Sequence, residues 1–291
     1  MLDQKQLKDL EIYAAEIRLG AMDAMSSFKM GHVGGAMSIA DVLAVLYGCE
    51  MNVDPADPKK EDRDYMVLSK GHAGPALYAA LAYKGYFPVE ELKTLNQNGT
   101  RLPSHCSRMH TPGIDATTGS LGTGISVAEG FALASKLKGL GSRTYCIVGD
   151  GEMDEGQIWE GVLFAASKKL DNFVLIVDYN KFQLDGSTES ICDLGDIAQK
   201  LKDFGYDVQD IDGHDLAAIY EACEASKEAN GRPKAIVLNT IKGKGSKMAM
   251  DIAATGAMNH AFPFLDDEAT KAEMARHEKV LADLKAEREA M

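Results

Sequence analysis

Apolar residues recur at helical spacing near the start of the chain, at Leu7, Leu10, Ile12, Ala15, Ile17, Leu19 and Met22, and predict an amphipathic helix over residues 4–28. A glycine-rich break follows, Gly31-His32-Val33-Gly34-Gly35. Residues 38–47 then read as a second helix with Ser38 as its N-cap. A charged loop over 54–60 leads to a short strand at 65–68, which runs through Ser69-Lys70-Gly71-His72 into a helix over 73–84. Periodicity stops between residues 96 and 123, where proline, glycine, serine, threonine and histidine dominate. A loop that long inside a compact domain is usually functional. Regularity returns as a helix over 125–137, then as a continuous apolar run at 144–148, a helix at 155–168 and a second apolar run at 173–177. Strands with no polar alternation are covered on both faces, so this segment predicts a right-handed parallel βαβ unit. A further helix at 217–229 and strand at 234–240 extend the pattern. The fold class is therefore α/β, a mostly parallel sheet with helices on both faces. Residues 1–265 form the expected domain, and the charged, alanine-rich residues 266–291 a helical appendage.

Charge narrows the partners. With 31 Lys and Arg against 44 Asp and Glu, the chain carries a net charge of -13. That balance argues against nucleic acid or an anionic membrane surface as a partner. No apolar run reaches the length of a transmembrane helix. The polar, mixed-charge residues 1–8 do not read as a signal peptide, so a cytoplasmic location is expected. Cys49, Cys106, Cys146, Cys192 and Cys223 are scattered without a C-x-x-C, which suits reduced thiols and neither a disulfide framework nor a zinc site.

The candidate chemistry sits at the ends of the two central strands. The first runs into Gly149-Asp150-Gly151 and the second into Asp178-Tyr179-Asn180-Lys181-Phe182. Ligands of open parallel sheets collect at the carboxyl ends of strands, so Asp150 and Asn180 should face one crevice. Their oxygens, with a backbone carbonyl such as that of Phe182, form a hard donor set suited to Mg²⁺ or Ca²⁺. Gly149 and Gly151 would let phosphate oxygens approach the backbone. The alternative is a strand-end turn in which Asp150 only caps the next helix. No G-x-G-x-x-G opens a helix after a strand and no G-x-x-x-x-G-K-[ST] occurs, so neither a nicotinamide site nor a P-loop is expected. A two-metal phosphohydrolase would need further carboxylates beside Asp150.

Gly149-Asp150-Gly151 followed by Asn180 resembles the thiamine-diphosphate-binding motif, with Tyr179 in place of the first of two asparagines. Four further segments resemble transketolases, in order: Gly31-His32, Ser69-Lys70-Gly71-His72-Ala73, Pro103-Ser104-His105, and Thr117-Thr118-Gly119-Ser120-Leu121-Gly122-Thr123-Gly124. The resemblance implies a thiamine-diphosphate-binding fold and assigns roles by position. Asp150, Asn180 and the Phe182 carbonyl would bind the divalent cation. Gly151 and His72 would contact the diphosphate. Gly119, Ser120, Leu121 and Lys242 would line the cofactor, and Glu155 and Glu160 would lie at a subunit interface. His32, His72 and His105, joined by His260, would surround the reactive carbon and bind sugar hydroxyls. His110, His214 and His277 read instead as solvated or capping residues, and Trp159, Met248 and Met250 as packing.

The implied reaction moves a two-carbon ketol unit from a ketose (phosphate) to an aldose. The glutamate that contacts the cofactor's aminopyrimidine ring, and the arginines that hold the substrate phosphate, belong in this family to a later domain. The resemblance therefore implies the amino-terminal subunit of a split transketolase. Its partner would be a second subunit carrying the pyrimidine-binding domain, in an α2β2 assembly. Alternatives of the same fold are the α-subunit of a 2-oxo acid dehydrogenase, a deoxyxylulose-phosphate-synthase-like enzyme, or a non-catalytic scaffold subunit. Pentose phosphates are the default sugars, and a specialised phosphorylated or sulfonated sugar fits equally.

Overall fold

The structure, a computed structural model, describes residues 1–255, 260–265 and 267–291. In chain order its elements are α1 (Gln4–Phe28), β1 (Met30–Gly31), α2 (Val33–Met37), α3 (Ala40–Val45), β2 (Tyr65–Leu68), α4 (Gly74–Lys84) and α5 (Gly124–Lys138). There follow β3 (Thr144–Gly149), α6 (Gly156–Ser167), β4 (Phe173–Tyr179), α7 (Thr188–Ile191), α8 (Ile197–Asp203) and β5 (Asp207–Asp212). The chain continues through α9 (Leu216–Ala225), β6 (Lys234–Asn239), α10 (Lys247–Ala254), β7 (Phe262–Pro263) and α11 (Glu268–Glu289).

The main sheet has the order β2-β3-β4-β6-β5, with every neighbouring pair parallel. Alternate residues of the central strands feed opposite cores, as the period of two requires. Tyr145, Ile147, Val174 and Ile176 face the layer of α1–α4 and α9, while Cys146, Val148, Leu175 and Val177 face α5, α6 and α8. Both faces are covered, which is why these strands appear in sequence as unbroken apolar runs. The small antiparallel pair β1–β7 ties the first glycine segment to Phe262 and Pro263.

α1 starts on a reciprocal capping box between Asp3 and Gln6, with N–O distances of 2.8 and 2.9 Å. Its outer side carries α11 through Lys8–Glu287 at 2.9 Å, Arg288–Asp9 at 2.6 Å and Lys285–Glu16 at 2.8 Å. His277, expected on the surface or at a cap, is buried on α11 beside Glu273 at 3.2 Å.

Two local expectations need correction. Ser38 is not an N-cap: it closes α2 at its C-terminal end, and its buried Oγ donates to Asp178 Oδ2 at 2.7 Å. The strand β5 has no counterpart among the sequence-predicted elements, because D-V-Q-D-I-D is a charged edge strand, half-exposed and without a continuous apolar run. Among the described residues no helix is long and apolar enough to cross a membrane.

Candidate functional site

The carboxyl ends of β2, β3, β4 and β6 converge on a cavity of about 170 Å³ lined by Lys70, His72, Asp150, Asn180, Lys242 and His260, among others. Its floor is a buried polar network centred on Asp178, the last but one residue of β4. Asp178 Oδ2 accepts from Lys70 Nζ at 2.5 Å, Ser38 Oγ at 2.7 Å and Asn180 Nδ2 at 2.8 Å, and Oδ1 accepts from Thr240 Oγ1. Lys70 also donates to the Gly35 carbonyl at 3.0 Å. Burial alone would push the Asp178 carboxyl up, but the Lys70 charge and its hydrogen bonds, with those from Thr240 and Ser38, hold it below the usual carboxylate range. One buried carboxylate thus locks the ends of β2, β4 and β6 and orients the amide of Asn180.

Glu152 makes a second lock just after β3. Its Oε1 accepts from Ser69 Oγ at 2.6 Å and from the Gly122 amide at 2.9 Å, while Oε2 accepts from the Gly149 amide at 3.1 Å. The glycine loop 117–124 is thereby bound to the strand ends. Thr118 Oγ1 reinforces it by donating to the Leu68 carbonyl at 2.7 Å.

Asp150 lies between these locks with 2% of its surface exposed. It accepts from the Gly151 amide at 2.8 Å and from the Lys181 amide, so it caps the turn after β3 and also grips the chain leaving β4. Burial, then the nearby negative charge of Asp178, pushes its carboxyl up to about 7. Lys242 donates from Nζ to the Phe182 and Gln183 carbonyls, each at 3.0 Å. Burial lowers that ammonium to about 8, against the pull of Asp150.

The four anticipated histidines meet, with His72 and His260 lining the cavity. The His32 ring centroid lies 5.4 Å from that of His72, 6.1 Å from His105 and 5.1 Å from His260, and His72 and His260 are 4.9 Å apart. Burial, followed by the charge of Lys70, drives His72 down to about 2, and burial with the Lys242 charge drives His260 to about 4. Burial also lowers His32. These three rings are neutral at neutral pH, each with one donor and one acceptor nitrogen. Gly119 supports the cluster: its φ is +146°, and a Cβ there would stand 3.1 Å from the His105 ring. Gly35 has the same function beside His72, where a Cβ would lie 3.3 Å from Nε2.

Leu121 lines the cavity, while Ser120, and Glu155 and Glu160 near the start of α6, are exposed. Glu155 packs against the glycine loop, since a Cβ at Gly122 would come within 2.8 Å of its own Cβ. His110 is on the surface, bonded to Ser107 at 2.8 Å, and His214 is bound to Asp41 away from the crevice. Trp159 stacks on Phe204 with ring centroids 5.9 Å apart, a packing role. Lys70, Asp178 and Glu152 organise the site without standing out in the sequence as actors. The signal they offered was an ionisable residue set directly against an apolar strand, where burial without a partner would be costly.

This fold and this crevice define a thiamine-diphosphate-binding domain. The family described as "Transketolase, thiamine diphosphate binding domain" matches residues 10–276, and the chain belongs to that family. It is 49% identical over 275 residues to the 6-deoxy-6-sulfo-D-fructose transketolase subunit SqwG of Clostridium sp. (strain MSTE9), covering 94% of this chain and 98% of that one. It is 35% identical to an apulose-4-phosphate transketolase subunit of Phocaeicola vulgatus, covering 94% and 97% of the two. Among solved structures, a transketolase from Leishmania mexicana superposes with a TM-score of 0.78 at 31% identity over 97% of this chain. The match takes in 46% of that chain, so this protein spans just under half of a solved transketolase. The relatives bear out the expected class: an amino-terminal transketolase subunit, a transferase of ketol groups.

Proposed function

We propose that the chain holds the diphosphate end of thiamine diphosphate through Mg²⁺ (or Ca²⁺), presents four histidines to a ketose, and shares the site with a second subunit. The observation that carries this reading is the meeting of Asp150, Asn180, His72 and His260 in one strand-end crevice, with the His32 and His105 rings in the same cluster. The donor set fits the cation. Asp150 is a buried carboxylate raised by burial and by Asp178, a cost that a divalent cation would relieve. Asn180 and the Phe182 carbonyl add neutral hard oxygens.

On this reading Asp150, Asn180 and the Phe182 carbonyl hold the metal, while Gly151, His72 and Lys242 face the diphosphate. Gly119, Ser120 and Leu121 form the cofactor wall, and Glu155 faces the partner. When bound, thiamine diphosphate supplies the electron sink for carbon–carbon cleavage. The chain's own contribution is to exclude water and to move protons. His32, His72, His105 and His260 can each donate to a sugar hydroxyl oxygen or accept its proton.

The partner would carry the glutamate facing the aminopyrimidine ring and the groups that hold the sugar's anionic end, in an α2β2 assembly. Relatives named for a sulfonated ketose and for a sugar phosphate favour an anionic ketose as donor. We take residues 1–265 as the cofactor domain, 266–291 as an appendage strapped to α1, and the cytoplasm as the compartment.

Purification with the co-expressed partner, followed by ketol-transfer assays with 6-deoxy-6-sulfo-D-fructose, apulose 4-phosphate and pentose phosphates, tests this. Turnover is expected from the complex and none from the chain alone. Robust transfer by the chain alone, or CO₂ release from pyruvate by the complex, would overturn it.

A further inference from the structure

His214 stands in Asp212-Gly213-His214-Asp215, a motif the crevice does not use directly. Gly213 explains its placement: a Cβ there would lie 2.4 Å from Thr240 Cγ2 and 2.8 Å from Leu238 Cβ. Only a glycine lets the turn after β5 press against the end of β6, which brings the His214 ring beside Ile241. Nε2 of His214 accepts from the Ile241 amide at 2.9 Å, and Nδ1 lies 2.7 Å from Asp41 Oδ2. An imidazole that accepts at Nε2 must carry its proton on Nδ1, so the ring donates to Asp41 and is held in one tautomer.

Asp41, itself 6% exposed, serves a second arm. Arg18 binds it in fork geometry at 2.9 and 2.6 Å, and Arg18 Nε donates to the Lys244 carbonyl at 3.2 Å. One carboxylate therefore fixes both ends of the segment 241–244. Between those ends lies Lys242, whose Nζ reaches the Phe182 and Gln183 carbonyls. The Gly243 amide donates to the Gly34 carbonyl at 3.0 Å, which joins the same segment to the glycine stretch that follows His32.

We infer that His214, oriented by Asp41, is a positioning residue that sets the backbone of residues 241–244 and so aims Lys242 into the diphosphate end of the crevice. This rests on the reading of Lys242 as a diphosphate contact. The two arms act on the main chain, so losing one should loosen this segment without unfolding the sheet.

Two substitutions separate the ring's two contacts. His214→Asn keeps a donor near Asp41 and loses reach to Ile241, whereas His214→Gln places a carbonyl oxygen near the position of Nε2. Amide hydrogen exchange of the full chain is measured over residues 241–246, together with calorimetric titration of Mg²⁺–thiamine diphosphate into the chain co-purified with its partner. His214→Asn should speed exchange and weaken cofactor binding, each on the order of tenfold, as expected for one lost hydrogen bond. His214→Gln should restore most of both, and exchange in β3 and β4 should stay unchanged in either variant. Unaltered exchange over 241–246 in His214→Asn overturns the positioning role whatever the cofactor does. Normal cofactor binding by a loosened His214→Asn, beside weakened binding by Lys242→Met, overturns it as well. If Lys242→Met binds normally, the diphosphate assignment of Lys242 fails, and the aiming role fails with it.

Discussion

The two walls of the crevice are built by opposite means. On the wall formed by β2, β4 and β6, Asp178 is fully buried, and its two oxygens take hydrogen bonds from Lys70, Ser38, Asn180 and Thr240. On the adjoining wall, His32, His72, His105 and His260 form a ring cluster, and no hydrogen bond among the described residues ties their nitrogens. The first wall uses its polar capacity internally and therefore holds geometry. The second leaves its ring nitrogens out of internal hydrogen bonds and relies on shape, with glycines at 35 and 119 admitting the rings. Internally bonded and unbonded polar groups thus belong to different residues. Burial serves both walls, since it strengthens the ion pair on one side and keeps the His32, His72 and His260 rings neutral on the other.

That contrast breaks most visibly at Asp178. Asp178→Ala strands the Lys70 ammonium, 2% exposed, without its counter-charge. A loss of about 3–5 kcal/mol is expected, read as a lower urea midpoint with unchanged slope. Asp150→Ala should show the reverse balance. Titrated with Mg²⁺ and thiamine diphosphate, the complex should bind about 100-fold more weakly or worse, beyond the usual penalty for a merely supporting residue. Its stability should fall by only about 1–3 kcal/mol, from the two backbone amides left unpaired. Gly119→Ala tests the shape-based wall. The positive φ and the His105 ring 3.1 Å from a Cβ should cost about 1–3 kcal/mol, visible as a lower thermal midpoint.

The smallest effect is on pH dependence. His72 and His260 titrate below the ordinary imidazole value of 6.5 in the folded chain, at about 2 and about 4. The unfolded chain therefore binds more protons below about pH 6.5. Their contribution to stability is complete above that pH and is lost as pH falls toward the folded values. In His72→Gln the unfolding free energy should decline less between pH 7 and pH 5 than in the parent. An equally steep decline would remove His72 from the acid sensitivity.

Legibility followed the same division. The strand-end pair Asp150 and Asn180 could be placed because two apolar runs of β length flanked one helix, a pattern with one common topology. The glycine segments and their histidines were legible as resemblance, and the four rings do come together. The distant partners of Asp178 were not, because Ser38, Lys70 and Thr240 come from three separate segments and nothing local says which carboxylate joins them. Ser38 shows the cost: local capping rules favour it as a helix start, and a buried tertiary hydrogen bond decides otherwise. His214 shows it again, since its neighbours in sequence suggest a solvated turn, while the tight approach of Gly213 to β6 carries it to Ile241.

By itself, then, the sequence determined the layered α/β architecture, the strand ends at which Asp150 and Asn180 meet, and the family. Hydrophobic periodicity and glycine positions are local records of burial and of backbone shape. Only the tertiary structure decided which carboxylate is paired with a lysine, which accepts only from backbone amides among the described residues, and which histidines come together. Those outcomes depend on Coulomb and desolvation terms between residues far apart in the chain, and these exist only once the sheet has assembled.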